Sequence, residues 1–380
     1  MKKAFNGMCM KKVLIVFGTR PEAIKLCPLV LELKKRPNIK TIVCVTAQHR
    51  QMLDQVLSVF NVVPEYDLNI MKKNQNLFDI TTNILSHLKG ILEQEKPDIV
   101  LVHGDTSTAF AAALASYYCC IPVGHVEAGL RTHDIYSPYP EEFNREAISL
   151  VAKYNFAPTP FARENLIKEG KKAETIFVTG NTVIDAMSKT VSSLYEHEEL
   201  KWVGTDKLIF ITAHRRENLG KPMHQMFRAI RKVLNEHKDC KAIYPIHMNP
   251  TVRKIAEEEL GDCNQIHIIE PLDVFDCHNF EARSFICLTD SGGIQEECPS
   301  FGVPVLVMRN TTERPEGINA GTLRLVGTSE KTIYENFSLL LNNQHEYQKM
   351  SHSCNPYGDG KASERIADIL EGKDYSPWNP

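Results

Sequence analysis

The stretch TDSGGIQEE (Thr289–Glu297) completes the apolar run FICLTD (Phe285–Asp290), and an earlier stretch, FGTRPEAIK (Phe17–Lys25), ends the run VLIVF (Val13–Phe17) in the same way. Each is typical of a buried strand that turns sharply into a helix. Such a turn presents backbone N–H groups and the positive end of the helix dipole, which together bind anions. Two of these units predict two nucleotide-type domains that face one cleft and hold a diphosphate-bearing substrate.

The length and composition are those of a soluble two-domain protein. The chain has 380 residues, and at about 100–200 residues per domain two domains are expected. The hydrophobic content of 43% and the charged content of 24% are ordinary for a globular protein. The formal net charge of -3 provides no basic field, so a nucleic-acid partner is not expected.

The cysteines and the first residues indicate a cytoplasmic protein without a membrane partner. The eleven cysteines include no C-x-x-C pair, which favours free thiols in a reducing compartment. No apolar run approaches the roughly 20 residues of a membrane span. The start, MKKAFNGMCM, has no apolar segment of a secretory signal, so residues 1–10 are interpreted as a loose leader, with translation from Met8 or Met10 left open.

Apolar runs alternate with amphipathic stretches along the chain. The first set of predicted strands comprises Val13–Phe17, Thr41–Thr46, Ile99–Gly104, Ile121–Glu127 and Thr175–Gly180. After a polar break at Tyr195–Asp206, the second set comprises Lys207–His214, Ala242–His247, Ile266–Glu270, Phe285–Asp290, Val303–Arg309 and Leu323–Gly327. The runs are rich in Val and Ile with little polar alternation, as expected of parallel strands that are covered on both faces.

This repeated pattern predicts an α/β protein with two doubly wound Rossmann-like domains. The first domain is predicted over residues 11–183 and the second over residues 184–355. Amphipathic helices are predicted between the strands, among them Ile80–Leu92. A last helix within residues 356–371 is predicted to pack back on the first domain.

Three acids occupy the strand ends at which parallel sheets bind their ligands. Asp105 and Glu127 each follow or end a predicted strand, and Glu141 opens a predicted helix. Taken singly, each acid could be a helix cap or a first-turn acid. Three acids at adjoining strand ends would instead share one crevice, repel one another and shift in pKa.

Groups suited to phosphate occupy other strand ends. The basic side chains are Arg20, Lys25, His214 and His247. Ser291 is followed by Gly292 and Gly293, which let the backbone approach a pyrophosphate closely. Glu296 either complements the helix dipole or accepts the hydroxyls of a ribose, and the residues alone leave both interpretations open.

Neither a metal nor a nicotinamide cofactor is predicted. The sequence has no H-E-x-x-H motif and no Cys/His spacing of zinc type. No G-x-G-x-x-G follows the first predicted strand, and the glycine pair of Gly358-Asp359-Gly360 lies at the wrong end of the chain.

Taken in order, these motifs resemble those of the non-hydrolysing UDP-N-acetylglucosamine 2-epimerases, from about Lys12 to Leu370. The matching strings are FGTRPEAIK, TAQHRQMLDQVL, DLNIM, HGDT, HVEAGLRT, SPYPEE, TGNTVIDA, HRREN, TDSGGIQEE, TTERPE and NPYGDG. The resemblance implies a glycosyltransferase-B-like fold and a homodimer that supplies precursors of surface polysaccharide. It also implies reversible conversion of UDP-N-acetylglucosamine to UDP-N-acetylmannosamine without a metal or nicotinamide.

The family's site residues carry over where its strings match. The resemblance implies catalytic roles for Asp105, Glu127, Glu141 and His214. It implies contacts with the UDP-sugar for Arg20, Lys25, His247, Ser291, Gly292, Gly293, Glu296 and Arg314, with Glu296 at the ribose and Arg314 near the pyrophosphate.

A second, activating substrate site is known in some bacterial members of that family. Gln48, His49 and Gln51 match it by resemblance. Some of those members also have an arginine a few residues after DLNIM, where this chain reads KKNQN (Lys72–Asn76). The missing arginine counts against such a site here.

The implied chemistry is elimination of UDP followed by re-addition. The C2 proton is not adjacent to a carbonyl, so departure of UDP from C1 must make it acidic. A glycal forms, and the proton returns to the opposite face.

Three alternatives stay open. A hydrolysing epimerase would let water trap the glycal and release free N-acetylmannosamine and UDP. A glycosyltransferase would need a channel for its acceptor, and no segment of the sequence indicates one. A catalytically silent UDP-sugar sensor would not need the three acids.

Overall fold

The computed structural model describes residues 10–48, 50–72, 75–312 and 314–380. They form two compact units. The first comprises the described residues up to Ala186 together with Gly358–Asn379, and the second comprises Met187–Tyr357.

The first unit is built on one parallel sheet. Within its described residues the sheet has seven strands, which are β1 (Lys11–Phe17), β2 (Ile39–Val45), β3 (Tyr66–Asp67), β4 (Ile99–His103), β5 (Val123–Val126), β6 (Ala152–Ala157) and β7 (Ile176–Val178). Their order is β3-β2-β1-β4-β5-β6-β7, so the winding direction reverses between β1 and β4. Ligands of doubly wound sheets bind beside such a reversal, at the carboxyl ends of the strands.

Helices connect these strands, as parallel pairing requires. They are α1 (Arg20–Lys34), α2 (Arg50–Val59), α3 (Leu77–Glu95), α4 (Ser107–Tyr118), α5 (Glu141–Val151), α6 (Pro160–Lys168) and α7 (Thr182–Thr190). The whole run Val13–Phe17 of β1 is fully buried. A strand buried on both faces explains why its sequence shows no polar alternation.

The second unit repeats this architecture. Its strands are β8 (Lys207–Thr212), β9 (Cys240–Pro245), β10 (Ile266–Ile269), β11 (Ile286–Thr289), β12 (Val305–Val307) and β13 (Leu323–Leu325), all parallel in the order β10-β9-β8-β11-β12-β13. Its helices are α8 (Glu198–Val203), α9 (Lys221–Glu236), α10 (Pro250–Leu260), α11 (Val274–Arg283), α12 (Gly292–Glu297), α13 (Pro315–Ala320), α14 (Glu330–Asn342) and α15 (Gln344–Ser351). The prediction of two doubly wound parallel α/β sheets is therefore confirmed.

The last helix, α16 (Ala362–Glu371), belongs to the first unit and packs on α1. Asp185 of α7 accepts hydrogen bonds from the backbone N–H groups of Ala362 (3.2 Å) and Ser363 (2.7 Å). A carboxylate at a helix N-terminus satisfies N–H groups that have no partner within the helix. This carboxylate therefore fixes the start of α16.

The sequence did not predict β3 and β6. β3 has only two residues, which is too short for a periodic signal. β6 contains Lys153 and Asn155, so it is not an apolar run, yet it lies between β5 and β7 in the sheet. Main-chain hydrogen bonds to β5 and β7 hold β6 in the sheet despite its polar side chains.

Candidate active site

Glu127 lies at the centre of a polar cluster at the carboxyl edge of the first sheet. It follows β5 in a left-handed backbone conformation, with φ of 66°. Its carboxylate is bound by the ammonium group of Lys25 on α1 and by Asn181 Nδ2 at 2.8 Å. Only 10% of its side chain is exposed. The arrangement holds an ionised carboxylate in one orientation.

His103, at the end of β4, contacts the same carboxylate. Its Nε2 lies 3.7 Å from Glu127 Oε2. Burial lowers the pKa of His103 to about 4, although the Glu127 charge opposes that shift. The imidazole is therefore neutral at neutral pH, and the cation beside Glu127 is the ammonium of Lys25.

Asp105 follows β4 and belongs to the same cluster. Desolvation by the surrounding protein raises the pKa of Asp105 to about 6, although 30% of the side chain is exposed. Arg145 and Lys25 oppose the rise, while the charges of Glu127 and Glu141 add to it. The structure thus brings Asp105, Glu127 and Glu141 together in one unit.

Two residues of α5 support this group and were missed from the sequence. Glu142 has no exposed side-chain surface and accepts hydrogen bonds from the backbone N–H groups of Thr132 (2.8 Å) and His133 (2.9 Å). Arg145 Nη2 lies 3.1 Å from Asp105 Oδ2. The string EEFNRE (Glu141–Glu146) contains one indication of this pairing, because acids and an arginine three or four residues apart share a helix face.

The turn between β1 and α1 differs from the anion site that its sequence suggested. The backbone N–H groups of Gly18 and Thr19 donate to Glu22 Oε2 at 3.0 and 2.8 Å. Thr106 Oγ1 donates to the other oxygen of the same carboxylate at 2.6 Å. A buried side chain of the protein itself therefore occupies these two donors. Arg20, half-buried, is the first residue of α1.

Two of the residues matched to an activating site, Gln48 and Gln51, lie near the end of β2. Thr108 Oγ1 donates to Gln48 Oε1 at 3.1 Å, and Gln51 is exposed on α2. His49 lies outside the described residues, as do two residues of the KKNQN segment. A role for this group stays a prediction.

In the second unit, Asp290 organises the turn that follows β8. Its carboxylate accepts hydrogen bonds from the backbone N–H groups of His214 (3.0 Å) and Arg215 (2.9 Å), and from Asn218 Nδ2 (3.0 Å). Asp290 is fully buried. It ends the apolar run Phe285–Asp290, but no spacing rule links it to a turn more than 70 residues away.

His214 and His247 lie together at this edge of the second sheet. Their ring centroids are 5.4 Å apart. Burial lowers the pKa of His214; Asp290 opposes this, while His247 and Arg215 add to it. His247 is exposed, and its Nδ1 accepts a hydrogen bond from the Asn249 N–H at 3.0 Å.

The Ser291 turn adjoins this pair of histidines and places Arg314 against a glycine. A Cβ on Gly292 would lie 2.8 Å from Arg314 Nη1, so any larger residue here would displace the guanidinium. Arg314 Nε donates to Glu296 Oε1 at 2.9 Å, and both side chains are buried. The backbone N–H of Ser291 donates to Thr289 Oγ1 at 2.9 Å. The structure therefore brings the predicted serine–glycine turn, Glu296 and Arg314 together.

Two further observations concern the described residues only. Within them, no group of three or more His, Cys, Asp and Glu side chains could hold a metal ion. No helix in that part of the chain is long and apolar enough to span a membrane.

The two parallel sheets with flanking helices and polar carboxyl edges form a glycosyltransferase-B-like α/β fold. One solved structure with this fold is the glycotransferase of kitacinnamycin, with a TM-score of 0.66 at 10% identity, covering 95% of this chain and 98% of that one. Such low identity shows the fold alone.

The chain belongs to the UDP-N-acetylglucosamine 2-epimerase family, whose sequence profile matches residues 31–371. The UDP-N-acetylglucosamine 2-epimerase of Bacillus subtilis (strain 168) is 59% identical over 359 residues, which are 94% of each chain. The UDP-GlcNAc 2-epimerase of Neisseria meningitidis, solved bound to UDP-GlcNAc, is 48% identical with a TM-score of 0.88, covering 95% of this chain and 100% of that one. The sequence prediction of an enzyme of this family is confirmed.

Proposed function

We propose that this chain converts UDP-N-acetylglucosamine reversibly to UDP-N-acetylmannosamine by eliminating UDP and adding it back, without hydrolysis. The observation that carries the proposal is the group of three acids, Asp105, Glu127 and Glu141, beside Lys25 in the first unit. The solved Neisseria meningitidis relative, bound to UDP-GlcNAc, supports the substrate.

In the first step the bond between C1 and the diphosphate oxygen breaks, and its electron pair leaves with UDP. Positive charge grows at C1 and makes the C2 proton acidic. A carboxylate takes that proton, and the C1–C2 double bond of a glycal forms. In the return step the proton is delivered to the opposite face of C2, and the diphosphate oxygen bonds to C1 again.

The acids of the first unit are suited to the two proton transfers at C2. With a pKa of about 6, Asp105 can change its protonation state near neutral pH, as a general acid or base must. Glu127, held by Lys25 and Asn181, provides fixed negative charge for the oxocarbenium-like centre.

Cationic and N–H groups of the second unit are suited to stabilising UDP as it leaves. We assign the UDP moiety to the Ser291 turn with Arg314, His214 and His247. Guanidinium, imidazole and backbone N–H groups stabilise a departing diphosphate, because they face the charge as it develops. The ribose role proposed for Glu296 must share that carboxylate with Arg314, which binds one of its oxygens.

Other parts of the proposal go beyond the site. We propose a homodimer in the cytoplasm that supplies precursors of surface polysaccharide. Apolar side chains exposed on α3 and α4, namely Phe78, Tyr117 and Tyr118, provide surface that a second copy would cover.

The test is incubation of the purified protein with UDP-N-acetylglucosamine, with every product identified by NMR. We expect UDP-N-acetylmannosamine and UDP-N-acetylglucosamine at a stable ratio. Accumulation of free N-acetylmannosamine with UDP would indicate the hydrolysing reaction instead. Transfer of the sugar to an added acceptor would indicate a glycosyltransferase.

A further inference from the structure

Arg145 of α5 bridges two carboxylates of the first unit. Its Nη2 lies 3.1 Å from Asp105 Oδ2, and its Nη1 lies 3.0 Å from Glu142 Oε2. Arg145 is 6% exposed. A single buried guanidinium therefore neutralises both an acid assigned to the reaction and an acid that has no part in it.

This bridge is poorly suited to stabilising the fold. In the part of the chain that the structure describes, neither Nε nor Nη1 of Arg145 makes a hydrogen bond, and Glu142 Oε2 also has no hydrogen-bond partner. Buried charged groups with unsatisfied donors and acceptors cost free energy, and an apolar replacement is often as stable. An explanation other than stability is therefore needed for this guanidinium.

The other contacts of the bridge restrict its movement. Glu142 is held because its second oxygen accepts the backbone N–H groups of Thr132 and His133. Asn144 Nδ2 donates to the backbone carbonyl of Asp105 at 2.8 Å. One helix thus fixes the backbone of Asp105 through Asn144 and its carboxylate through Arg145.

We propose that Arg145 is a positioning residue, which keeps the Asp105 carboxylate ionised and correctly oriented for proton transfer. Glu142 competes for the same guanidinium and so limits how strongly Arg145 attracts the Asp105 carboxylate. The catalytic part of this inference rests on the proposed function. The pairing itself does not.

The charges that face Asp105 come from three elements. Arg145 and Glu141 lie on α5, Glu127 follows β5, and Lys25 lies on α1. Burial is the largest cause of the raised pKa of Asp105, and Arg145 is the largest opposing influence. Removing the guanidinium therefore raises the pKa of Asp105 further and leaves less of the ionised form at neutral pH.

The experiment follows the titration of Asp105 without substrate. The protein is labelled with ¹³C at the aspartate carboxyl carbons, and the Asp105 signal is assigned by its loss in Asp105→Asn. In Arg145→Gln we expect the titration midpoint to move up by about one pH unit or more. In Glu142→Gln we expect it to move down, because Arg145 then has only Asp105 as a charged partner.

A matched control is available within the same unit. Arg36 also bridges carboxylates: it lies 2.7 Å from Glu32, 2.7 Å from Asp368 and 3.1 Å from Glu371. Arg36→Gln should leave the Asp105 midpoint unchanged. A shift of similar size in this control would show that the effect in Arg145→Gln is a general consequence of losing an ion pair, and would overturn the inference.

Kinetics separate positioning from folding. For Arg145→Gln at pH 7 we expect kcat to fall by roughly tenfold or more, because misplacement of the Asp105 carboxylate adds to the roughly twofold loss of its ionised form. KM and UDP affinity should change less than about twofold. An unchanged Asp105 midpoint in folded Arg145→Gln would overturn the pairing. Should that variant not fold, a midpoint in Glu142→Gln that stays or rises would do so. Failure of the unsubstituted protein to epimerise would instead overturn the proposed function and the catalytic part of this inference, while the titration still decides the pairing.

Discussion

Asp105 combines a partly exposed carboxylate with an environment that resists its ionisation. Its pKa is raised to about 6 chiefly by burial, against the opposing charge of Arg145. A carboxyl group that titrates near the working pH is suited to proton transfer, and such shifts concentrate at functional sites. This residue is therefore where the proposed mechanism is most directly tested.

Asp105→Asn and Glu127→Gln should each lower kcat by roughly 10²–10⁴, because each removes a carboxylate from the acid group. Affinity for UDP should stay within about twofold, since the groups assigned to UDP lie in the second unit. Steady-state kinetics and calorimetric titration with UDP measure the two effects. Asp98→Asn, just before β4, is a control that should keep turnover. Near-normal turnover in either variant would remove that acid from the mechanism.

Asp105 should also destabilise the folded protein at neutral pH. Its folded pKa of about 6 lies above the ordinary 3.8, so ionisation is harder in the folded state. Well below pH 3.8 the group is neutral in both states and costs nothing; the cost grows between about pH 3.8 and pH 6 and is complete above that range. Asp105→Asn should therefore raise the urea midpoint of unfolding at pH 7.5, with a smaller gain at pH 4.5. An equal or lower midpoint at pH 7.5 would contradict this.

Sequence reasoning named the groups proposed to react more readily than the residues that support them. Asp105 and Glu127 could be predicted because strand ends and family strings both mark them. Asp290, Glu142 and Arg145 act through contacts that depend on tertiary packing, such as the approach of α5 to the end of β4. Local spacing carries little information about such contacts.

At the scale of elements, the turn between β1 and α1 is shaped by packing. A Cβ on Gly18 would overlap Thr46 Oγ1 and lie 2.8 Å from Thr108 Oγ1. Glycine is therefore required here by the neighbouring end of β2, whether or not a phosphate binds. Glu22 then completes the turn by accepting both of its first N–H groups.

Gly18→Ala should lower stability by about 1–3 kcal/mol, the usual cost of overpacking a buried site. Gly90→Ala is the matched control, because a Cβ there meets no atom within 4 Å and Gly90 lies inside α3. Alanine should stabilise that helix by about 0.5–1 kcal/mol. Urea denaturation of both variants gives the comparison. A Gly18→Ala protein as stable as the unsubstituted one would contradict the packing argument.

Strands were predictable where both faces are buried, and helices were predictable where one face is apolar. β1 and β11 are continuous apolar runs because both of their faces are covered, and α3 and α16 show clear apolar stripes. β6 could not be predicted, because its order in the sheet is decided by main-chain pairing with β5 and β7. Because β6 contains polar residues, no pattern of hydrophobicity in the sequence indicates that pairing.

At the scale of the whole molecule, the proposed elimination predicts exchange with solvent. During incubation in D₂O, deuterium should appear at C2 of both nucleotide sugars, because the abstracted proton equilibrates with water before it returns. ¹H NMR and mass spectrometry of the two products measure it. Retention of protium over many turnovers would exclude this route.

The position of α16 has a consequence for biosynthesis. This helix packs on α1, which is synthesised long before it, and its start is fixed by Asp185 of α7. The half of the protein that is synthesised first must therefore wait, with one apolar surface uncovered, until the second half has emerged. A nonsense codon within the second unit would therefore damage the first unit as well, because α16 would be missing.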